Sequence, residues 1–190
     1  MSNQDLNTIL DNIWQHLSQS TDDLNHPWRL PSLSTQGLNG PTVRTMVLRS
    51  ADPQKRILTA HTDVRSTKIP GFRNDPRTAW LFFNPKTKEQ VRANGRGIIH
   101  HNNKPAQIAW NETSLENKYN YATQLPPGSK NDRPTTDQIH ENSLANKYLN
   151  FAIIQCDITE IDWLQLSSNG HRRALFNWNG NTWHKSWATP

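Results

Sequence analysis

The sequence predicts a mainly β domain with flanking helices, and three observations carry that prediction. Pro41–Arg49 and Arg56–Lys68 are β-branched runs separated by Ser50-Ala51-Asp52-Pro53-Gln54-Lys55, a stretch of turn formers that reads as an antiparallel hairpin. A second hairpin joins Thr78–Asn84 to Glu89–Gly95 through Pro85-Lys86-Thr87-Lys88. The strongest β signal is Asn150–Leu166, and after it Asn179-Gly180 marks a tight turn between Ala174–Trp178 and Thr182–Trp187.

Taken in order, Leu6, Ile9, Leu10, Ile13, Trp14 and Leu17 recur at helical spacing and predict an amphipathic helix within an N-terminal segment 1–25. His26–Pro31 is extended, because each proline disfavours helix at the residue before it. On the first hairpin strand Arg44 and Arg49 lie five apart and should point to opposite faces. Ile69–Pro76 is a short helix or turn, with Pro70-Gly71 expected to shorten or delay any helix. Gly95-Arg96-Gly97 permits a bulge. Thr113-Ser114-Leu115-Glu116 reads as a capping box opening a helix through Tyr119 and Tyr121. Leu125–Ser129 breaks it, a polar loop follows, and a further helix is expected from about 136 to 149. His171 and Arg173, two apart, share a strand face. Trp183 and Trp187 are assigned to core or interface.

A chain of 190 residues suits one domain, 1–190, with a real core. Its mean hydropathy of −0.86 is low, and eight tryptophans partly compensate. Such a chain is expected to lean on a partner subunit or a cofactor. A net charge of +5 favours anionic ligands, but the cations are dispersed, so nucleic acid is not an expected partner. No signal peptide and no membrane span are expected, since the longest apolar run is Ala79–Phe83. The lone Cys156 rules out an internal disulfide and, with the rest, points to a cytoplasmic protein. No metal site is expected: His100 and His101 are adjacent, so on a strand they point apart.

The second strand of the first hairpin runs into Thr62, Ser66 and Lys68, hydroxyls beside a cation, which suit a phosphate through charge-assisted bonds. On chemistry alone a solvated hairpin end with surface arginines is the competing reading. Arg44-Thr45-Met46-Val47-Leu48-Arg49, then Thr62–Lys68, then Gln90-Val91-Arg92 resemble the successive motifs of the FMN-binding split-barrel family typified by pyridoxamine 5′-phosphate oxidase. The likeness is closer to that family's oxidase-related branch, and it runs from about Pro27 to the C-terminus.

The resemblance implies a split β-barrel that pairs as a homodimer, with one FMN in each of two clefts between subunits. It implies that Arg44 and Lys68 hold the FMN phosphate, with Thr62 and Ser66 as hydroxyl donors. Thr67 stands where the family's oxidases carry an arginine, and Arg65 is its stand-in. The backbone of Thr45, Met46, Val47 and Leu48 would lie along the flavin ring. Gln90, with a donor and an acceptor, would address the ring's polar edge, and Arg173 would approach from the C-terminal strand. Arg92 serves either the ring edge or a cross-strand acid. The segment 111–150 would be a helical insertion at the dimer interface.

Arg49 and His171 are the substrate-facing candidates. Asn169 and Leu125 replace two arginines of the vitamin B6 oxidases, while Tyr121 and Ser129 match two of their substrate-contacting positions. Losing two charge-assisted phosphate contacts, about 1.5–3 kcal/mol each, argues against pyridoxine phosphate as substrate. The expected function is thus an FMN-dependent oxidoreductase acting on an unidentified small-molecule substrate or reductant. The alternatives are a genuine pyridoxamine/pyridoxine 5′-phosphate oxidase, a flavin carrier or sensor without turnover, and a basic binding module with no cofactor.

Overall fold

The computed structural model describes residues 5–132 and 144–190. Helix α1, Leu6–Asp22, opens on Asp5, whose carboxylate accepts from the Thr8 amide at 2.9 Å. Its buried stripe is Ile9, Leu10, Ile13, Trp14 and Leu17, as the periodicity predicts, and each such side chain contributes about 1.5–3 kcal/mol over the exposed state.

The strands that follow are β1 Ser32–Gly37, β2 Gly40–Thr45, β3 Leu48–Asp52 and β4 Ile57–Asp63, then β5 Arg77–Asn84 and β6 Glu89–His100. The C-terminal part supplies β7 Phe151–Gln165, β8 Arg172–Trp178 and β9 Trp183–Ala188. All pair antiparallel, in the order β2-β1-β5-β6-β7-β4-β3, with β8 attached to the second half of β7 and β9 attached to β8. The fold is therefore mainly β, with the predicted hairpins at 84–89 and 178–183 in place.

The first hairpin differs from its prediction. Its leading strand is two strands, because the chain changes partners at Met46-Val47: β2 pairs with β1, and β3 pairs with β4. The two ends of the sheet path are thus one short stretch of chain. Met46 N–H donates to Pro31 C=O at 2.9 Å and Leu48 N–H to Arg29 C=O at 3.0 Å across that junction, so the sheet closes on itself. Inside lie Leu33, Leu48, Leu58, Trp80, Phe82, Ile154, Trp163 and Phe176, all buried. Cys156 is among them, and burial pushes its thiol up to about 11, so it stays an unreactive thiol.

Helix α2, Lys68–Asn74, also departs from expectation, because Pro70-Gly71 neither shortens nor delays it. Pro70 sits in the first turn, where a missing N–H costs nothing. Gly71 lets the helix lie on β1: a Cβ there would come within 2.3 Å of the Gln36 carbonyl oxygen. Phe72 then enters the core, against Gly97 of β6.

Three more helices cover one end of the sheet: α3 Lys104–Glu112, α4 Leu115–Tyr119 and α5 Leu144–Asn150. The sequence reading missed α3, although Asn103 caps the Ala106 amide and Pro105 stands in its first turn, which is a legible start signal. The α4 cap is Ser114, which accepts from Asn117 N, whereas Thr113 closes α3 by donating to Ala109 C=O at 2.7 Å. Most of the polar loop and the first part of the helix expected over 136–149 lie outside the described residues. No helix among the described residues is long and apolar enough to cross a membrane.

Candidate functional site

Three groups of residues come out of this architecture, at different places on the sheet wall. The first is at the start of α2. The Lys68 ammonium donates to Thr62 Oγ1 at 2.9 Å and to Ser66 Oγ at 2.7 Å. Burial first, and then the nearby Arg44 charge, pull Lys68 down to about 8, against a smaller opposing pull from Asp63. Arg44 is therefore close, and burial lowers it too. Its guanidinium donates to Leu33 C=O at 3.0 Å and to Thr35 Oγ1 at 2.8 Å, and it also bonds the Thr42 hydroxyl. No carboxylate among the described residues forms an ion pair with Arg44 or Lys68.

Two half-buried cations without an acid partner, beside hydroxyls, are a phosphate's complement. Ser66 accepts from Lys68, so its own O–H remains to be donated; the O–H of Thr62 is engaged only at 3.4 Å, with the Asp63 carbonyl. From Arg44 the chain runs through Thr45, Met46, Val47 and Leu48. Met46 and Leu48 turn their N–H groups back into the protein, while that of Val47 meets no acceptor among the described residues. An amide left open there is what a flavin ring edge requires. The residues present thus fit FMN.

Arg65 is placed differently from its expected role as a phosphate donor. Asp63, itself buried, takes its guanidinium at 2.7 Å, and Arg65 also donates to Thr123 C=O at 3.1 Å. The pair ties the end of β4 to the loop after α4.

The second group lies on the outward face of β6, β7 and β8. Gln90 stands opposite Leu164, which stands opposite Arg173, so Gln90 and Arg173 share one face across three strands. Arg173 donates to Asp162 at 3.0 and 2.7 Å, and Arg92 also bonds Asp162. Arg92 thus serves a cross-strand acid, the second of its two expected roles. Burial pushes Asp162 up, but the hydrogen bonds from Arg173 and Arg92 outweigh it and hold the carboxyl below its usual value. Asp162 escaped the sequence reading because only the strand register brings it between two arginines. His171 is exposed at the start of this strand, and its Nδ1 accepts from the Ser167 amide at 3.2 Å.

The third group surrounds a cleft of about 620 Å³ between the outer face of β3 and β4 and the helices α3 and α4. Arg49 enters it and donates to Asn117 Oδ1 at 3.4 Å. His61 joins it from β4. Burial, with a contribution from Arg49, holds its imidazole down at about 4, so it is neutral at physiological pH. Neither His61 nor Asn117 was legible as a site residue. Arg49 and His171, the two substrate-facing candidates, stand in different groups. Tyr121 is buried, packed edge-on against Phe151, and Ser129 bonds the Pro126 carbonyl. His101 bonds the Leu149 carbonyl and His100 contacts Asn103. No group of three or more potential metal ligands occurs among the described residues.

Comparison with known proteins bears on the fold and the cofactor. Residues 11–101 match the family model described as pyridoxamine 5′-phosphate oxidase, FMN-binding domain. No curated protein matches the chain. Among solved structures, a pyridoxamine 5′-phosphate oxidase-related, FMN-binding protein from Nostoc punctiforme is 25% identical; the match covers 95% of this chain and 96% of that one, with a TM-score of 0.75. PhzG from Burkholderia lata, solved with tetrahydrophenazine-1-carboxylic acid, is 15% identical over 100% of this chain and 95% of its own, at a TM-score of 0.69. A general stress protein 26-related protein from Clostridium acetobutylicum is 11% identical over 87% and 91%, at 0.55. The last two share the fold. Residues 11–101 thus match the FMN-binding domain of the pyridoxamine 5′-phosphate oxidase family, a fold of that kind runs along almost the whole chain, and FMN is the cofactor.

Proposed function

We propose that this protein is a homodimeric FMN-dependent oxidoreductase, a split barrel whose flavin sites are each built from two copies of the chain. The observation that carries the reading is the Lys68 ammonium held by Thr62 and Ser66 beside Arg44, with no acid paired to either cation among the described residues. In this reading Arg44 and Lys68 neutralise the FMN phosphate, Ser66 and Thr62 donate hydroxyl hydrogens to it, and the open Val47 amide donates to the ring. Bound FMN supplies two-electron transfer between a substrate and an acceptor. Gln90 and Arg173 complete the ring's surroundings, with Asp162 fixing the arginine's direction.

The dimer follows from facing. Arg44 stands opposite the buried Leu33 and points to the core side, whereas Gln90 and Arg173 sit on the outward face. One chain does not present both groups to one ligand; two copies related by a two-fold axis do. The segment 111–150 lies at that interface in this reading, as its exposed Leu115, Leu125 and Leu149 support. Leu125 and Asn169, where the vitamin B6 oxidases use arginines, weigh against pyridoxine phosphate as substrate. A lone buried cysteine suits a reducing, cytoplasmic setting.

Complementation tests the shared site. A chain carrying Arg44→Ala and Lys68→Ala is unfolded and refolded together with one carrying Gln90→Ala and Arg173→Ala. Random pairing makes about half the dimers mixed, each with one intact site, so FMN binding should return at roughly a quarter of the sites. A mixture that binds no more flavin than its two parents would place the site within one chain.

A further inference from the structure

The cleft between the sheet and helices α3 and α4 has a chemistry distinct from that of the phosphate cluster, and the contrast defines what it takes. Three cations border it. Arg29 is spent on the end of α1, donating to the Ser20 and Thr21 carbonyls, and Lys104 is exposed at the rim. Arg49 remains. It is half-buried, burial lowers its pKa, and its single hydrogen bond among the described residues is the long one to Asn117. Glu112, the acid on the lining, is exposed and forms no ion pair with it. A guanidinium stays charged when buried, so the cleft holds one planar fork with free donors, with the charge of the carbonyl-bound Arg29 close enough to lower Arg49 further.

Beside that fork, the Nδ1 of His61 is shut away from solvent with no hydrogen-bond partner among the described residues. Ser50, Thr59 and Gln155 add neutral polar groups on the sheet side, while Pro105, Ile108 and Ile153 supply apolar wall. The volume, about 620 Å³, is that of an ordinary small-molecule site.

We infer that this cleft binds a ring-bearing monocarboxylic acid, its carboxylate on the Arg49 fork and its ring against Pro105, Ile108 and Ile153. One guanidinium with free donors matches one carboxylate, two donors to two oxygens. A phosphate monoester brings nearly two charges and three terminal oxygens. The protein meets those demands elsewhere, with Arg44, Lys68 and two hydroxyls, and does not repeat that arrangement here. His61, neutral, contributes a hydrogen bond and no second charge. The chain from Arg44 at the end of β2, through Met46-Val47, to Arg49 in β3 leads from the phosphate cluster to this cleft, so the acid is also the molecule placed to react with the flavin. That last step alone rests on the flavoprotein reading.

Calorimetric titration of the FMN-loaded protein with 2-naphthoate, 2-naphthylmethanol and 2-naphthyl phosphate tests the cleft, with flavin absorbance followed in parallel. The acid should bind at least about tenfold tighter than the alcohol and no more weakly than the phosphate ester, the margin that one charged hydrogen-bonded pair supplies. Arg49→Gln should bring the acid to the level of the alcohol, and Arg49→Lys, which keeps charge without the fork, should fall between. Equal affinity for acid and alcohol, a phosphate ester preferred tenfold, no binding by any probe, or full acid affinity in both Arg49 variants would overturn the inference. Selective acid binding, lost in Arg49→Gln, without any change in the flavin bands would uphold the cleft's chemistry and count instead against its place beside the flavin.

Discussion

Replacing Arg44 and Lys68 together by alanine should strip the protein of FMN while leaving the fold intact. Each cation makes a charge-assisted contact of about 1.5–3 kcal/mol with a phosphate, so losing both weakens binding by roughly two to four orders of magnitude. The expected result is a colourless protein after gel filtration and a fluorescence titration with a far weaker Kd. Circular dichroism should still report the native sheet. Lys68 forms no ion pair among the described residues, and its removal relieves a desolvated ammonium. Arg44→Ala alone costs more structurally, because its bonds to Leu33 and Thr35 pin β2 to β1. A single Lys68→Ala variant therefore separates the two effects: it should lose affinity with thermal stability unchanged or raised. Undiminished flavin in the double variant would remove both residues from the phosphate site.

How much of this was legible from residue order depends on whether a feature is local. Helix α1, the β5–β6 and β8–β9 hairpins and the long β7 all follow from periodicity and turn chemistry within a few residues. The Thr62, Ser66 and Lys68 cluster was legible for the same reason, since two hydroxyls and a cation fall within seven positions. The break at Met46-Val47 was not. Nothing in Pro41–Arg49 says that its halves pair with different strands; that is decided by β1 and β4 competing for one segment. Arg65 looked like a phosphate donor from its place in a motif, but its bond to Asp63 two residues earlier has a prior claim. Asp162 and His61 acquire their surroundings only through register: Asp162 lies opposite Arg92, and His61 lies opposite Ile153 beneath a helix the sequence reading had missed. Local order thus gave the Thr62, Ser66 and Lys68 cluster, and tertiary pairing supplied the surroundings of Asp162 and His61.

Raising the pH should loosen FMN and, in the flavin-free protein, relieve a destabilising charge at the same residue. Burial and Arg44 bring Lys68 from 10.5 down to about 8 in the folded chain. Between about pH 8 and 10.5 the unfolded apoprotein holds a proton at this lysine that the folded one has released. The cost of burying the ammonium is therefore present in full below pH 8 and shrinks as pH rises through that window, so this residue's contribution to apoprotein stability increases with pH. FMN binding runs the opposite way, because the phosphate needs the ammonium. Its affinity should be level below pH 8 and then fall about tenfold per unit, roughly 25-fold between pH 7.5 and 9.5 if the bound state keeps the proton. The phosphate does not complicate this range, its second ionisation lying near pH 6. Lys68→Arg keeps the charge throughout and should flatten the FMN affinity profile across the same interval. Fluorescence titrations of both proteins at half-unit steps would decide it. A profile equally steep in Lys68→Arg, or flat in the unsubstituted protein, would mean that another group carries the proton and that Lys68 does not meet the phosphate.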